Sequence, residues 1–185
     1  MEIKGVVVKS VSDFVRSKFS DRYDEWVKCL PDESKQIFEK TIFLSKWYPM
    51  REGVVIPTQF IGKLFYGNND RQAAWQSGRY AAQANLKGIY RILAKIISYS
   101  FVFSKSGRIF STYFRIGSLS VVRNGQRNVV VQLKDFHNPD QLVEFRIAGW
   151  IEHALEISGC NGVIVVITKS MAKGHRVTEY IIQWA

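Results

Sequence analysis

The sequence predicts an α+β protein in which N-terminal helices pack on a C-terminal antiparallel sheet built in ββαββ order. Three observations carry this. Up to about residue 117 the apolar residues recur at helical spacing, and from residue 118 onward they alternate with period two. Between two such alternating runs stands Asn124-Gly125, a strong short-range hairpin signal.

Taken in order, Gly5 to Val8 reads as a short strand, and Ser12-Asp13 as the cap of a helix running through Phe14, Val15 and Phe19. Pro31-Asp32-Glu33 has the form of a helix start, with proline near its first position and acids in the first turn. Ile37, Phe38, Ile42 and Phe43 continue it at helical spacing. Ser45 to Pro49 is a breaker, because the residue before a proline is pushed out of the α region. Pro57-Thr58 starts a short helix to about Tyr66, and residues 67–70 make a turn capped by Asp70. From Arg71 to Ser98 alanines and long side chains favour a helix, with a break allowed at Gly88. A last helix, about Lys105 to Phe114, carries Phe110, Tyr113 and Phe114 along one side.

In the C-terminal part, Ser118 to Arg123 and Gln126 to Lys134 form the first hairpin. A two-residue loop pairs Leu119 with Val130 and splits the apolar set between both faces. A three-residue loop with a left-handed Gly125 pairs Leu119 with Val129 and gathers Leu119, Val121, Val129, Val131 and Leu133 on one side, so burial favours the longer loop. Pro139-Asp140 opens a helix whose buried stripe is Val143, Ile147, Ile151, Ala154, Leu155 and Ile157, ended by Gly159. Residues 162–169 and 176–184 form the second hairpin across a turn at 171–174. The expected organisation is one domain over residues 1–185, helical to 117 and ββαββ from 118.

Composition narrows the class. Hydrophobic residues at 46% and charged residues at 23% exclude disorder for the bulk of the chain. No apolar run approaches the roughly 18 residues of a membrane span, and no secretory h-region opens the sequence, so the expected location is the cytoplasm. Cys29 and Cys160 stand too far apart in sequence for a disulfide framework or a metal knuckle.

The net charge of +10 is localised. Between Asp70 and Asp135 there is no acidic residue, while eleven arginines and lysines fall there. The rest of the chain carries 15 basic against 16 acidic residues. Arg79, Lys87, Arg91 and Lys95 lie on one row of a helix, each four-residue step turning it by only about 40°. With Arg108 and Arg115 they form a candidate anion-binding surface for an acidic protein or a nucleic-acid backbone. The competing reading is a solvated face whose basic groups pair with acids from elsewhere. RNP motifs and a GXXG loop are missing, so sequence-specific nucleic-acid reading is not supported.

Several short phrases carry a resemblance: Gly5 to Lys9, Ser45 to Pro49, Ala84-Asn85-Leu86 with Tyr90-Arg91, Ala148 to Glu152 with Ala154 to Glu156, and Tyr180 to Trp184. They resemble a family of uncharacterised bacterial proteins in the 4-vinyl reductase-like and haem-nitric-oxide-binding-like sensor superfamily, whose fold is also similar to the small subunits of the TRAPP tethering complex. That resemblance implies a non-enzymatic module with a ligand pocket between helices and sheet, and homodimerisation. Zinc-bearing relatives carry cysteines near the last hairpin, where this chain has Ser170 and Thr178, so the thiolate ligands are lacking and no metal is expected. Haem requires an axial ligand, and His137, His153 and His175 stand in no pattern matching the haem-binding relatives; no cofactor is expected.

The expected pocket is lined by Trp47, Trp75, Tyr90, Tyr113 and Trp150, with Asn85 or Arg91 as polar anchor for a small apolar or phosphorylated molecule. Catalytic patterns are absent: there is no GxSxG elbow, Walker loop or HExxH. Cys160 with His153 could be imagined as a nucleophile and base, and Glu152 with Glu156 as a carboxylate pair; a buried structural thiol and a solvated helix face are the plainer readings.

Overall fold

The computed structural model describes residues 1–90, 99–137 and 139–185. A two-stranded ribbon opens the fold: β1 (Glu2–Lys4) pairs antiparallel with β2 (Trp47–Pro49), Ile3 facing Tyr48. Helix α1 (Gly5–Lys18) follows at once. The valines expected to form a strand are therefore helical. Val7, Val8, Val11, Phe14 and Val15 all bury at helical spacing, and packing of that stripe overrides the β preference of a branched run. Ser12 and Asp13 lie inside this helix rather than at its start, Asp13 accepting from Lys9 at 2.6 Å.

Helix α2 (Tyr23–Cys29) and α3 (Asp32–Phe38) come next; α3 stops at Phe38, so Ile42 and Phe43 lie outside it. The expected breaker at residues 45–49 contributes β2 itself. A π-helical turn (Arg51–Val55) runs into α4 (Ile56–Phe65). The turn before α5 (Asp70–Tyr90) is capped by Asn69, not Asp70: Asn69 Oδ1 accepts from the Gln72 amide at 3.0 Å. The long helix passes Gly88 without a break. Helix α6 (Tyr99–Tyr113) starts six residues before the expected Lys105, and its end is tied to the opening ribbon by a bridge between Phe114 and Ile3.

The C-terminal part is β3 (Ser118–Asn124), β4 (Asn128–Lys134), α7 (Gln141–Ile157), β5 (Ile164–Lys169) and β6 (Thr178–Gln183). All pairings in the sheet are antiparallel, in the order β3-β4-β6-β5. The first hairpin has the expected inner face, with Val129, Val131 and Leu133 buried and Leu119 and Val121 packed against them. Its register differs. Leu119 pairs with Leu133 rather than Val129, Val122 is bulged, and Gly125 is not left-handed. Up to Val121 the difference is a four-residue slide, which keeps each side chain on its own face, so burial there could not choose between the two registers. The observed one carries the pairing to Lys134, joining Ser118–Asn124 to Val129–Lys134 around the bulge.

Helix α7 packs on β5 and β6 and against α5. Asp140 caps it, accepting from the Leu142 amide at 2.8 Å, and Val143, Ile147, Ile151, Ala154 and Leu155 bury. Contact with α5 is backbone to backbone. A Cβ on Gly78 would lie 2.0 Å from the Arg146 carbonyl oxygen, and one on Gly149 would lie 2.2 Å from that of Trp75. The two glycines thus set the spacing of α5 and α7. One continuous core runs from α1 and α2 through α6 to β4, β6 and α7.

Candidate ligand-binding site

Where α6 lies over β3 and beside α7, side chains do not fill the space, and a cavity of about 80 Å³ remains. Helix α6 supplies Phe103, Ser106, Ile109, Phe110 and Tyr113, followed by Phe114. Leu119 and Val131 form the sheet side, Ile147, Trp150 and Ile151 the α7 side, and Val7 and Ala81 the far helices. Phe110 and Phe114 stack with centroids 4.4 Å apart, a rigid aromatic wall. These residues meet because their periodicities point one face of each element inward.

Two lining residues are polar in an unexpected way. Arg146 on α7 is buried, 5% exposed. It donates through Nη1 to Ser77 Oγ at 2.5 Å and through Nη2 to Ser10 Oγ at 2.8 Å. Both hydroxyls in turn donate to backbone carbonyls, Ser10 to Val7 at 2.7 Å and Ser77 to Ala74 at 3.0 Å. Desolvation pushes Arg146 down to about 10, which still leaves it protonated at neutral pH.

Of the expected pocket residues, the structure brings Tyr113 and Trp150 to this cavity. Trp47 lies instead on the β1–β2 ribbon beneath the Lys4 ammonium, 4.4 Å from its ring centroid. Trp75 faces away too, donating from Nε1 to Glu152 Oε2 at 2.8 Å and lining two other clefts. Asn85 and Tyr90 belong to α5, and nothing is described of their side chains; Arg91 lies outside the described residues.

The expected anion surface is also divided. Arg79 is held between α5 and α7, reaching both Glu152 and Glu156, and Arg115 pairs with Glu2. The pairing of these two with distant acids means that neither is a free binding group. Arg108 is exposed on α6. Lys87 belongs to α5 with an undescribed side chain, and Lys95 lies outside the described residues.

Glu152 and Glu156 correct the solvated-face reading: at 17% and 34% side-chain exposure they face α5 and hold Arg79. His153 Nδ1 lies 2.7 Å from Glu156 Oε2, while Cys160 is buried past the helix end with its amide on the Leu155 carbonyl. Ser170 and Thr178 both donate to the buried Glu144 carboxylate, Ser170 at 2.6 Å, and the Ala172 amide joins them at 3.2 Å. Among the described residues no group of three or more His, Cys, Asp or Glu could hold a metal ion.

The expected pocket left out Arg146, Ser10, Phe103 and Phe110. A signal for Arg146 was present: it lies three residues before Gly149, beside the apolar stripe, where a helix with small residues meets another backbone.

No protein-family model matches the chain, and no curated protein matches it. Solved structures do. An H-NOX protein from Shewanella oneidensis in the Fe(II)NO ligation state superposes with a TM-score of 0.75 at 12% identity, covering 98% of this chain and 99% of that one. Its Fe(II)CO form, solved by NMR, gives 0.70 at 11% identity, covering 98% of each. The unliganded Fe(II) H-NOX protein from K. algicida gives 0.68 at 11% identity, covering 98% and 96%. Over nearly its whole length, the chain has the fold of the H-NOX proteins.

Proposed function

We propose that this protein is a non-enzymatic sensory module that binds a small ligand in the cavity between its helices and its sheet. The observation that carries this reading is the cavity itself, an apolar recess between the two halves of an H-NOX-like fold. Its lining also supports a binding rather than a catalytic role. Among the described residues its lining holds no carboxylate, histidine or cysteine that could act as a general base or nucleophile.

The similar H-NOX structures are in iron ligation states, and another neighbour concerns porphyrin distortion. Haem does not fit the residues of this chain. Among the described residues no histidine, cysteine or methionine lines the cavity, the sequence of residues 85–102 contains none, and the tyrosine described there, Tyr113, is already engaged in another interaction. His153 is bonded to Glu156, His175 lies in the β5–β6 turn against Ser170, and His137 is exposed beyond β4. About 80 Å³ is also far below the roughly 300–1,000 Å³ of pockets for drug-sized ligands. The ligand is therefore a small molecule bound without iron.

Native mass spectrometry of freshly purified protein, followed by denaturation to release what it carries, tests this. A stoichiometric small molecule is expected, and it is expected to be lost from Ala81→Leu, which fills the cavity from α5. A wild-type chain that carries nothing and gains no thermal stability from a library of small apolar compounds overturns the proposal.

A further inference from the structure

Resting on the ligand-binding reading above, we infer that the cavity takes a carboxylic acid with a short apolar body, whose carboxylate is held by the Arg146 guanidinium. The inference starts from a charge without a counter-charge. Arg146 is buried, and its two hydrogen bonds go to the neutral hydroxyls of Ser77 and Ser10. Among the described residues no carboxylate pairs with it, and none accepts from Nε. Residues 91–98 supply none either, since the sequence has no acid between Asp70 and Asp135. Glu144, two positions away on α7, is committed to Ser170, Thr178 and the Ala172 amide.

An uncompensated buried charge is strongly unfavourable, and an opposite charge brought by a ligand relieves it. Both serine protons point away onto the Val7 and Ala74 carbonyls, which fixes the hydroxyls as acceptors and holds the guanidinium in place. Nε and the remaining Nη protons are left to donate, the fork geometry that carboxylates match.

The rest of the wall decides the body of the ligand. Apart from Ser106, whose hydroxyl donates to the Phe103 carbonyl, and the single neutral polar tips of Tyr113 and Trp150, it is hydrocarbon, chiefly Phe103, Phe110, Phe114, Leu119, Val131 and Ile147. A phosphate carries about two negative charges and extra oxygens that these side chains cannot satisfy. One guanidinium in such a wall balances a monoanion. The small volume limits the body to a few carbons or one ring.

The experiment compares butanoate, hexanoate and benzoate with 1-butanol, 1-hexanol and benzyl alcohol by titration calorimetry in low-chloride buffer at pH 7.5. Wild type, Arg146→Met and Arg146→Lys are all titrated. In wild type at least one acid is expected to bind roughly tenfold to a hundredfold more tightly than its alcohol, the range of a charged hydrogen bond. Arg146→Met is expected to abolish that preference while still binding the alcohol, and Arg146→Lys to restore part of it. Methionine removes the charge and keeps an apolar chain, a change that buried ion sites often tolerate. The wild-type comparison stands even if a variant does not fold. Equal binding of acid and alcohol to wild type, or a preference that survives in Arg146→Met, overturns the anchor while leaving the cavity a ligand site. Binding of none of the six compounds to wild type overturns the inference and counts against the ligand-binding reading as well.

Discussion

The guanidinium of Arg79 on α5 and the carboxylate of Glu156 on α7 meet through two parallel hydrogen bonds, Nη2 to Oε2 at 2.7 Å and Nη1 to Oε1 at 3.1 Å. Burial alone would raise the Glu156 pKa; hydrogen bonds from Arg79 and His153 outweigh it, and the net shift is downward. A carboxyl whose folded pKa is depressed stabilises the fold above its unfolded pKa and loses that contribution as pH falls through the folded value. Stability is therefore expected to decline as pH drops below about 4.5, and Glu156→Gln to decline less steeply there. Arg79→Met should cost about 1–2 kcal/mol at pH 7, less than a fully buried pair because both groups are partly exposed. Urea midpoints measured from pH 3 to pH 7 check both; a midpoint unchanged by Arg79→Met would show that the pair is only incidental to stability.

Gly78 and Gly149 meet the opposite helix at its carbonyl oxygens, where no rotamer change can make room. Gly78→Ala and Gly149→Ala should each destabilise by about 2–3 kcal/mol or more, despite alanine's better helix propensity. Thermal unfolding of the two variants measures this, and a stabilised Gly149→Ala would mean that α5 and α7 are not in backbone contact.

Glu144 ties α7 to the β5–β6 turn through Ser170, Thr178 and the Ala172 amide. Glu144→Leu leaves two buried hydroxyls and that amide without their acceptor, at a cost of about 2–4 kcal/mol. Hydrogen exchange offers the sharper readout: the Ala172 amide should lose protection while amides in the centre of α7 keep theirs.

The two thiols should react very differently. Cys29 is exposed at the end of α2, whereas Cys160 is buried and its thiol is pushed up by desolvation, away from the reactive thiolate. Titration with a disulfide reagent at pH 8 should show one fast thiol in the folded protein and two in urea. Two fast thiols without urea would mean that the loop after α7 opens readily.

Hydrophobic period revealed α7 and the second hairpin, because each buries one face against a single neighbouring layer and the pattern repeats along the segment. The same reasoning misread residues 5–8. Four residues are too few to tell a buried strand from a helix turn, and a run of valines favours a strand until the rest of the helix packs. Of the five rings expected in the pocket, Tyr113 and Trp150 line the cavity while Trp47 and Trp75 lie elsewhere, since a list of aromatics carries no direction.

By itself the sequence determined the α+β layout, the inward face of the first hairpin and the location of the charge excess, all properties of neighbouring residues. Only the tertiary structure decided that Arg79 is neutralised while Arg146 is not. Those outcomes rest on partners far along the chain: Glu152 lies 73 residues from Arg79, and Ser10 lies 136 residues from Arg146. Local periodicity sets which side of an element turns inward; whether a buried charge meets its opposite depends on which distant segment arrives there.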